Sequence, residues 1–356
     1  MKILGVESSC DECAAAVVED GRTIHSSVVS TQIPIHAVYA GVVPELASRK
    51  HTEWIYAVVH EALTGAGLGP GDIDGVAATS RPGLLGSLLV GLSFAKAFAW
   101  ARNLPFIAVN HMLAHLYASR LENAPRIAHG GADAGLPASP PPYPFLGLLV
   151  SGGHSLICRV DDFDNITVLG TTIDDAVGEA FDKVSTYYGF GYPGGAVIDR
   201  LARKGDPYAF NFPLPNLRKG QHPYDVSYSG LKTAVINQLE RFRRAGAGVK
   251  EDEGADIAAS FQRTAVEILL RALFRAADDT GLRVIVAGGG VAANSFLRER
   301  LAARSDLRCV FPPLELCGDN GAMVAGIGFR YLARGETSPL TVSASARVEG
   351  FKRAYP

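Results

Sequence analysis

Net charge is almost absent. The 34 Lys and Arg nearly cancel the 36 Asp and Glu, leaving −2. That excludes a globally basic surface, so any contact with nucleic acid has to be local. Long apolar runs are absent too. The longest uncharged, mostly apolar stretch, Pro82 to Ala95, falls well short of the ~20 residues a bilayer crossing needs. Glu7 interrupts the first apolar run too early for a secretory leader, so a soluble, cytoplasmic protein with no membrane partner is expected. Cysteine is scarce and odd in number: Cys10, Cys13, Cys158, Cys309 and Cys317 suit a reducing compartment better than a disulfide framework. Cys10-Asp-Glu-Cys13 is a lone C-x-x-C, read as filler rather than as a redox or zinc pair. A Walker A loop and the protease motif H-E-x-x-H are both missing, and no nucleophile triad is visible.

What is present is a large α/β pattern. The chain has 356 residues, 47% of them hydrophobic, enough for two or three domains. Lys2 to Ser9, Ala14 to Val18 and Ile24 to Val29 read as a strand meander. Glu45 to Leu63 has helical spacing, Ile73 to Thr79 is a strand, Leu84 to Arg102 is an apolar helix, and Pro105 to Val109 is a strand that leads into a helix at His111. Glu122 to Pro144 holds six Pro and few large apolar residues, so it reads as a loop and the best domain boundary. Phe145 to Val150, a small polar turn and Leu156 to Val160 then restart the opening pattern, which implies two similar lobes. Helices are expected over 173–188, 196–203, 229–244, 252–280 and 294–303, and a last one capped by Asp319. The lobes are drawn as residues 1–121 with about 305–356, and residues 145–304.

Three glycine-rich turns, Ser151-Gly-Gly-His154, Tyr192-Pro-Gly-Gly195 and Gly288-Gly-Gly290, can each bring backbone N–H groups close to a phosphate. A single Gly-Gly is more often a plain turn; three in a repeated α/β frame point to nucleotide binding. Asp175, Glu179 and Asp182 have i, i+4, i+7 spacing, which fits either a solvated acidic face or a set holding ribose hydroxyls or Mg²⁺. Glu7, Asp11 and Glu12 bracket the first turn, either as turn acids and caps or as groups managing magnesium or a proton. His111 and His115, four apart, share a helix face and can reach one metal ion, although core histidines show the same spacing. Asp319 is the candidate remote third ligand; two His and one carboxylate suit Fe²⁺ or Zn²⁺ with open positions. Arg241-Phe-Arg-Arg244 with Lys250, and Arg218-Lys219, are local basic patches.

Taken together and in order, Glu7-Ser-Ser-Cys-Asp-Glu12, Asn110-His-Met-Leu-Ala-His115, Leu149-Val-Ser-Gly-Gly-His154, Asp174-Asp-Ala-Val-Gly-Glu-Ala-Phe-Asp-Lys183, Tyr192-Pro-Gly-Gly195, Ser229-Gly-Leu-Lys232, Gly288-Gly-Gly-Val-Ala-Ala-Asn294 and Cys317-Gly-Asp-Asn320 resemble the bacterial TsaD family, over essentially the whole chain. The resemblance implies the two-lobed fold of actin, heat-shock ATPases and sugar kinases around a nucleotide cleft. It implies transfer of a threonylcarbamoyl group from threonylcarbamoyl-adenylate to the exocyclic amine of the tRNA adenosine beside the anticodon, in tRNAs reading codons that start with A. It implies one Fe²⁺ or Zn²⁺ on His111, His115 and Asp319, and adenylate or ATP-type nucleotide contacts, with or without Mg²⁺, from Leu149, Val150, Ser151, Gly152, Gly153, Asp182, Gly195, Asp199 and Asn294. It also implies a degenerate paralogue subunit, a small ATPase and a separate synthase as partners. Asp11 and Glu12 are candidates for moving a proton, and Lys183 for stabilising charge. The family's Thr-x-Gly-Pro-Gly stands here as Thr79-Ser-Arg-Pro-Gly83. The rival readings are a small-molecule kinase or a scaffold ATPase of the same fold.

Overall fold

A computed structural model describes residues 1–123, 140–215, 222–244, 250–347 and 352–353. The chain divides into two compact units, Met1–Pro140 with Pro312–Gly350, and Pro141–Phe311 with Phe351–Pro356.

The first unit opens with three strands, β1 (Lys2–Glu7), β2 (Glu12–Glu19) and β3 (Thr23–Thr31), followed by a single-turn helix α1 (Ile33–His36) and α2 (Pro44–Ala66). Then come β4 (Gly75–Arg81), α3 (Leu85–Arg102), β5 (Phe106–Asn110), α4 (His111–Tyr117) and the two-residue β6 (Glu122–Asn123). The strand order is β5-β4-β1-β2-β3-β6. β1, β2 and β3 form an antiparallel meander, while β4 joins β1, and β5 joins β4, in parallel. Leu4 and Val6 of β1 and Cys13, Ala15 and Val17 of β2 pack into one core with α2 and α3. The alternate face carries the chain's last helix, Gly321–Leu332. Because both faces are covered, β1 and β2 read as continuous apolar runs rather than as alternating strands.

The second unit repeats the plan. It contains β7 (Phe145–Val150), β8 (Ser155–Asp162), β9 (Asn165–Thr171), α5 (Val177–Tyr188), α6 (Gly194–Ala202), α7 (Ser229–Arg244), α8 (Glu251–Thr280), β10 (Val284–Gly288), α9 (Ser295–Ala302) and β11 (Arg308–Val310). After α10 (Gly321–Leu332) of the first unit, β12 (Lys352–Arg353) returns to pair with β9. The order β11-β10-β7-β8-β9-β12 matches the first sheet position by position, with the same strand directions. The repeat seen at Phe145 is therefore a duplicated sheet topology.

Two local expectations need correcting. The helix expected from Ile173 begins only at Val177, so Asp174 and Asp175 precede it and do not share a helix face with Glu179 and Asp182. The Asp174 carboxylate accepts from Ser227 Oγ (2.5 Å) and the Tyr228 N–H (2.8 Å), tying the segment before the helix to the start of α7. The last helix is capped by Asn320, whose side chain accepts from the Met323 N–H at 2.9 Å, and not by Asp319. Most of the Pro-rich Glu122 to Pro144 stretch (124–139) lies outside the described residues. Among the described residues no helix is long and apolar enough to cross a membrane.

Candidate metal centre and glycine-rich turns

The first cluster is built by a strand end, a short helix and a helix start, all within the first unit. β5 ends at Asn110, whose side-chain oxygen accepts from the Met112 and Leu113 N–H groups at 2.9 and 3.4 Å. That cap starts α4, and the 3.6-residue period then puts His111 and His115 on one face, with their rings edge-to-face at 4.5 Å. Asn320 fixes the turn before α10 by donating to the Gly318 carbonyl at 2.9 Å, and the neighbouring Asp319 meets the histidines. His115 Nε2 stands 3.1 Å from both His111 Nε2 and Asp319 Oδ1, and His111 Nε2 stands 3.5 Å from that oxygen.

Three potential ligand atoms thus form a triangle with edges of 3.1–3.5 Å. An ion bound at about 2.1 Å by three ligands at angles between right and tetrahedral requires separations of about 3.0–3.4 Å. Among the described residues this is the group of His, Cys, Asp and Glu able to share a metal ion. The electrostatics agree. Glu7 is fully buried and accepts from Thr79 Oγ1 (2.6 Å), the Ser9 N–H (2.6 Å) and His111 Nδ1 (3.0 Å). Burial works against its charge, yet the charge and hydrogen bond of His111, with help from Thr79, hold the carboxyl below its usual range. His111 is pushed up to about 9: burial opposes its cation, and Asp319 and Glu7 outweigh that. His115 is held down by burial and by the charge of His111. Glu12 is pushed up to about 9 by burial and then by the charges of Asp319 and Asp11. Glu7 and Asp319 flank the two imidazoles with negative charge, which a divalent cation would balance. The residues fit such an ion.

The glycine-rich turns belong to the second unit. After β7, Ser151 N–H donates to the His154 carbonyl at 2.8 Å, closing the turn and leaving open space beside Gly152 and Gly153. Gly178, at the start of α5, lies against this turn; a methyl there would stand 2.6 Å from the Ser151 oxygen. After β10, Gly289 has φ +93° and backs onto the Val150 carbonyl, so the Leu149–Gly153 and Gly288–Gly290 segments are neighbours. The third turn is tied in by Asp182, whose Oδ1 accepts from the Gly194 N–H at 2.7 Å. Gly189-Phe-Gly-Tyr-Pro-Gly194 has G-x-G-x-x-G spacing, but it links two helices and follows no strand, so it is not the dinucleotide fingerprint. Asp199 accepts from Ser295 N–H (3.1 Å) and Oγ (2.7 Å), joining α6 to α9. Asn294 caps α9 through the Leu297 N–H at 2.9 Å and donates to Gln262 at 2.8 Å. The structure therefore brings the three turns, Asp182, Gly195, Asp199 and Asn294 into one connected framework, in which the polar side chains also hold helix ends.

Asp11 and Glu12 sit at the start of β2 in the first unit. Lys183 is in the second unit, paired with Asp175 at 2.9 Å and Glu179 at 2.7 Å, and Lys232 also reaches Asp175. Of the basic patches, Arg218-Lys219 lies outside the described residues, as do the side chains of Arg243 and Arg244; Arg241 is exposed. Sequence reasoning missed Thr79, Ser9 and Asn110 as supports of the histidines. A signal existed for Asn110 alone, an Asn directly before a helical run.

A family model for TsaD, described as tRNA N6-adenosine threonylcarbamoyltransferase, matches residues 23–326. A tRNA N6-adenosine threonylcarbamoyltransferase of Treponema denticola is 64% identical over 353 residues, covering 99% of both chains. One from Treponema pallidum is 55% identical over 355 residues, covering 99% of this chain and 95% of the relative. In fold, the chain is similar to the crystal structure of (R)-2-hydroxyglutaryl-CoA dehydratase component A of Acidaminococcus fermentans, with TM-score 0.53 at 13% identity, covering 94% of this chain and 99% of that one. The architecture is thus the two-sheet α/β fold shared by actin, heat-shock ATPases and sugar kinases.

Proposed function

The chain belongs to the TsaD family of tRNA N6-adenosine threonylcarbamoyltransferases, and from that premise we propose how its residues divide the work. The enzyme transfers a threonylcarbamoyl group to N6 of a tRNA adenosine. Membership speaks against the kinase and scaffold-ATPase readings. The donor we infer is threonylcarbamoyl-adenylate, and the acceptor is the adenosine beside the anticodon in tRNAs that read codons starting with A. An adenosine amine is a poor nucleophile, so the reaction calls for an activated acyl donor and for positioning.

The observation that carries the residue assignment is the convergence of His111 Nε2, His115 Nε2 and Asp319 Oδ1 within 3.1–3.5 Å of one another. These three residues would hold one Fe²⁺ or Zn²⁺ per subunit. Such an ion, when bound, polarises a carbonyl or orients a carboxylate, here those of the threonylcarbamoyl group. Burial, with the charges of Asp319 and Asp11, shifts Glu12 towards its protonated form, which can donate a hydrogen bond. Asp11 beside it is our candidate to accept the proton leaving N6. Leu149 to Gly153, with Gly195, offer backbone N–H groups to the adenylate or to an ATP-type nucleotide with Mg²⁺. Asp182, Asp199 and Asn294 hold the helix starts around them. Lys183 can stabilise charge in the reaction only by leaving Asp175 and Glu179, so its pairing favours a role as the tie that fixes the start of α5.

An acyl-adenylate must be made by an ATP-consuming synthase, which is a separate protein in this reading. A degenerate paralogue and a small ATPase complete the system, in the cytoplasm. The decisive experiment incubates the chain with these partners, threonine, bicarbonate, ATP and an unmodified tRNA reading A-starting codons, then analyses the nucleosides. Threonylcarbamoyladenosine is expected with the wild type and not with His111→Ala. A fully active His111→Ala protein that binds no metal would remove the metal from the mechanism.

A further inference from the structure

The candidate metal centre has a residue behind it that none of the three ligands can replace. Glu7 is the last residue of β1, a strand central to its sheet, and it is fully buried. Such a carboxylate is retained at a cost unless donors saturate it. Here they do. Oε1 accepts from the Ser9 N–H at 2.6 Å; Oε2 accepts from Thr79 Oγ1 at 2.6 Å and faces His111 Nδ1 at 3.0 Å. An ionised carboxylate can only accept, so the proton of that last contact sits on Nδ1. In a neutral imidazole this leaves Nε2 with its lone pair free, and Nε2 is the atom that faces His115 and Asp319. His115 has no such support: its Nδ1 is buried without a hydrogen-bond partner among the described residues.

We propose that Glu7 is a positioning residue for the metal centre, fixing His111 in the Nδ1–H tautomer and aiming its Nε2 at the ion, with Thr79 and Ser9 holding the carboxylate in place. This rests on the reading of His111, His115 and Asp319 as ligands. The arrangement makes Glu7→Gln an informative substitution. The amide NH₂ cannot take the Oε1 position, because it would meet the Ser9 N–H. It has to take the Oε2 position, where the Thr79 hydroxyl oxygen can accept from it. There its N–H faces His111 Nδ1, which favours the tautomer with the ring proton on Nε2; Ser9 Oγ, 3.2 Å from Nδ1, can turn its hydroxyl to suit either tautomer. The substitution nearly conserves volume and biases the tautomer away from metal binding.

The test measures zinc affinity by competition with a chromophoric chelator, on wild type, Glu7→Gln and His115→Ala, with unfolding midpoints recorded in parallel. Zinc binding by Glu7→Gln is expected to weaken about 10- to 100-fold, the range for losing an outer-shell partner, with cooperative unfolding retained. If Glu7→Gln binds zinc within about threefold of wild type while His115→Ala does not, the ligand set stands and the role of Glu7 is overturned. If His115→Ala binds zinc as wild type does, the ligand reading itself fails. Should Glu7→Gln not fold, ¹⁵N-histidine NMR of the zinc-loaded wild type decides: a proton on His111 Nδ1 supports the proposal, and a proton on Nε2 overturns it.

Discussion

His115 and Asp319 are separated by 204 positions in the chain, yet His115 Nε2 and Asp319 Oδ1 lie 3.1 Å apart. Both ends of the contact are fixed by an asparagine that caps a helix: Asn110 starts α4 and Asn320 starts α10. α10 also packs on β1, β2 and β4, so the last helix carries its carboxylate to the site as part of the sheet's cover. Removing that carboxylate should do little to the packing and much to the site. Asp319→Ala is expected to lose stoichiometric metal and to lower threonylcarbamoyl transfer by more than about 100-fold, beyond the range for an outer-shell change. Elemental analysis and nucleoside quantification on one preparation check both. Full metal content in an inactive Asp319→Ala protein would assign Asp319 a role other than ligand.

The cap on α4 can be separated from the ligands it presents. α4 is only seven residues long, and its first turn relies on Asn110. Asn110→Ala should destabilise the chelator-treated protein by about 1 kcal/mol, whereas Asn110→Asp, which caps as well, should restore most of that. Urea unfolding gives the comparison. Equal loss in both variants would mean that the amide does something besides capping.

Much of this was readable in the sequence because the strands are apolar on both faces and the Gly and Pro signals fall at their ends. The repeat of β1 and β2 in β7 and β8 was therefore visible, while the matching of β4 with β10 appears only in the sheet order. The polar details were not. Asp174 and Asp175 continue the spacing of Glu179, but the helix starts only at Val177, and the partners of Asp174, Ser227 and Tyr228, lie about 50 positions away where no local pattern shows them. Asp319-Asn320 offers two good caps in succession, and local preference cannot rank them. Glu7 was visible as an acid, but its link to His111 crosses 104 positions and depends on the pairing of β1 with β4 and of β4 with β5.

The cysteines make a chemical prediction. Burial, followed by the charge of Glu7, pushes the Cys13 thiol up to about 12; burial alone takes Cys158 to about 12, and burial with Asp306 takes Cys309 to about 11. A thiol raised from 9.0 to about 12 carries roughly a thousandth of the thiolate at pH 8. All five are free thiols. Iodoacetamide at pH 8 should label Cys13 and Cys158 only after unfolding, and native labelling of Cys309 should rise as the pH approaches 11. A Cys10–Cys13 disulfide forming readily under mild oxidation would contradict this and revive the redox reading of the C-x-x-C.

The glycine-rich turns allow fold and function to be tested apart, because their glycines are constrained for different reasons. Gly289 has φ +93°, and a methyl on it would stand 2.4 Å from the Val150 carbonyl oxygen. Gly289→Ala therefore combines a disfavoured backbone with a steric clash and should cost more than about 2 kcal/mol. Gly152 and Gly153 have nothing within 4 Å of where a methyl would go, and neither has a positive φ. Nothing in the protein's own packing requires glycine there, so Gly152→Ala should unfold at the wild-type midpoint. If the turn takes up a nucleotide phosphate, the new methyl occupies space beside the backbone N–H groups that approach it, and nucleotide affinity should fall at least about tenfold. Isothermal titration with ATP and Mg²⁺, run beside thermal melts, separates the two effects. Wild-type nucleotide affinity in Gly152→Ala would move the phosphate site away from the Ser151–His154 turn, leaving the Gly288–Gly290 turn as the segment to examine by the same contrast at Gly290, which is likewise open.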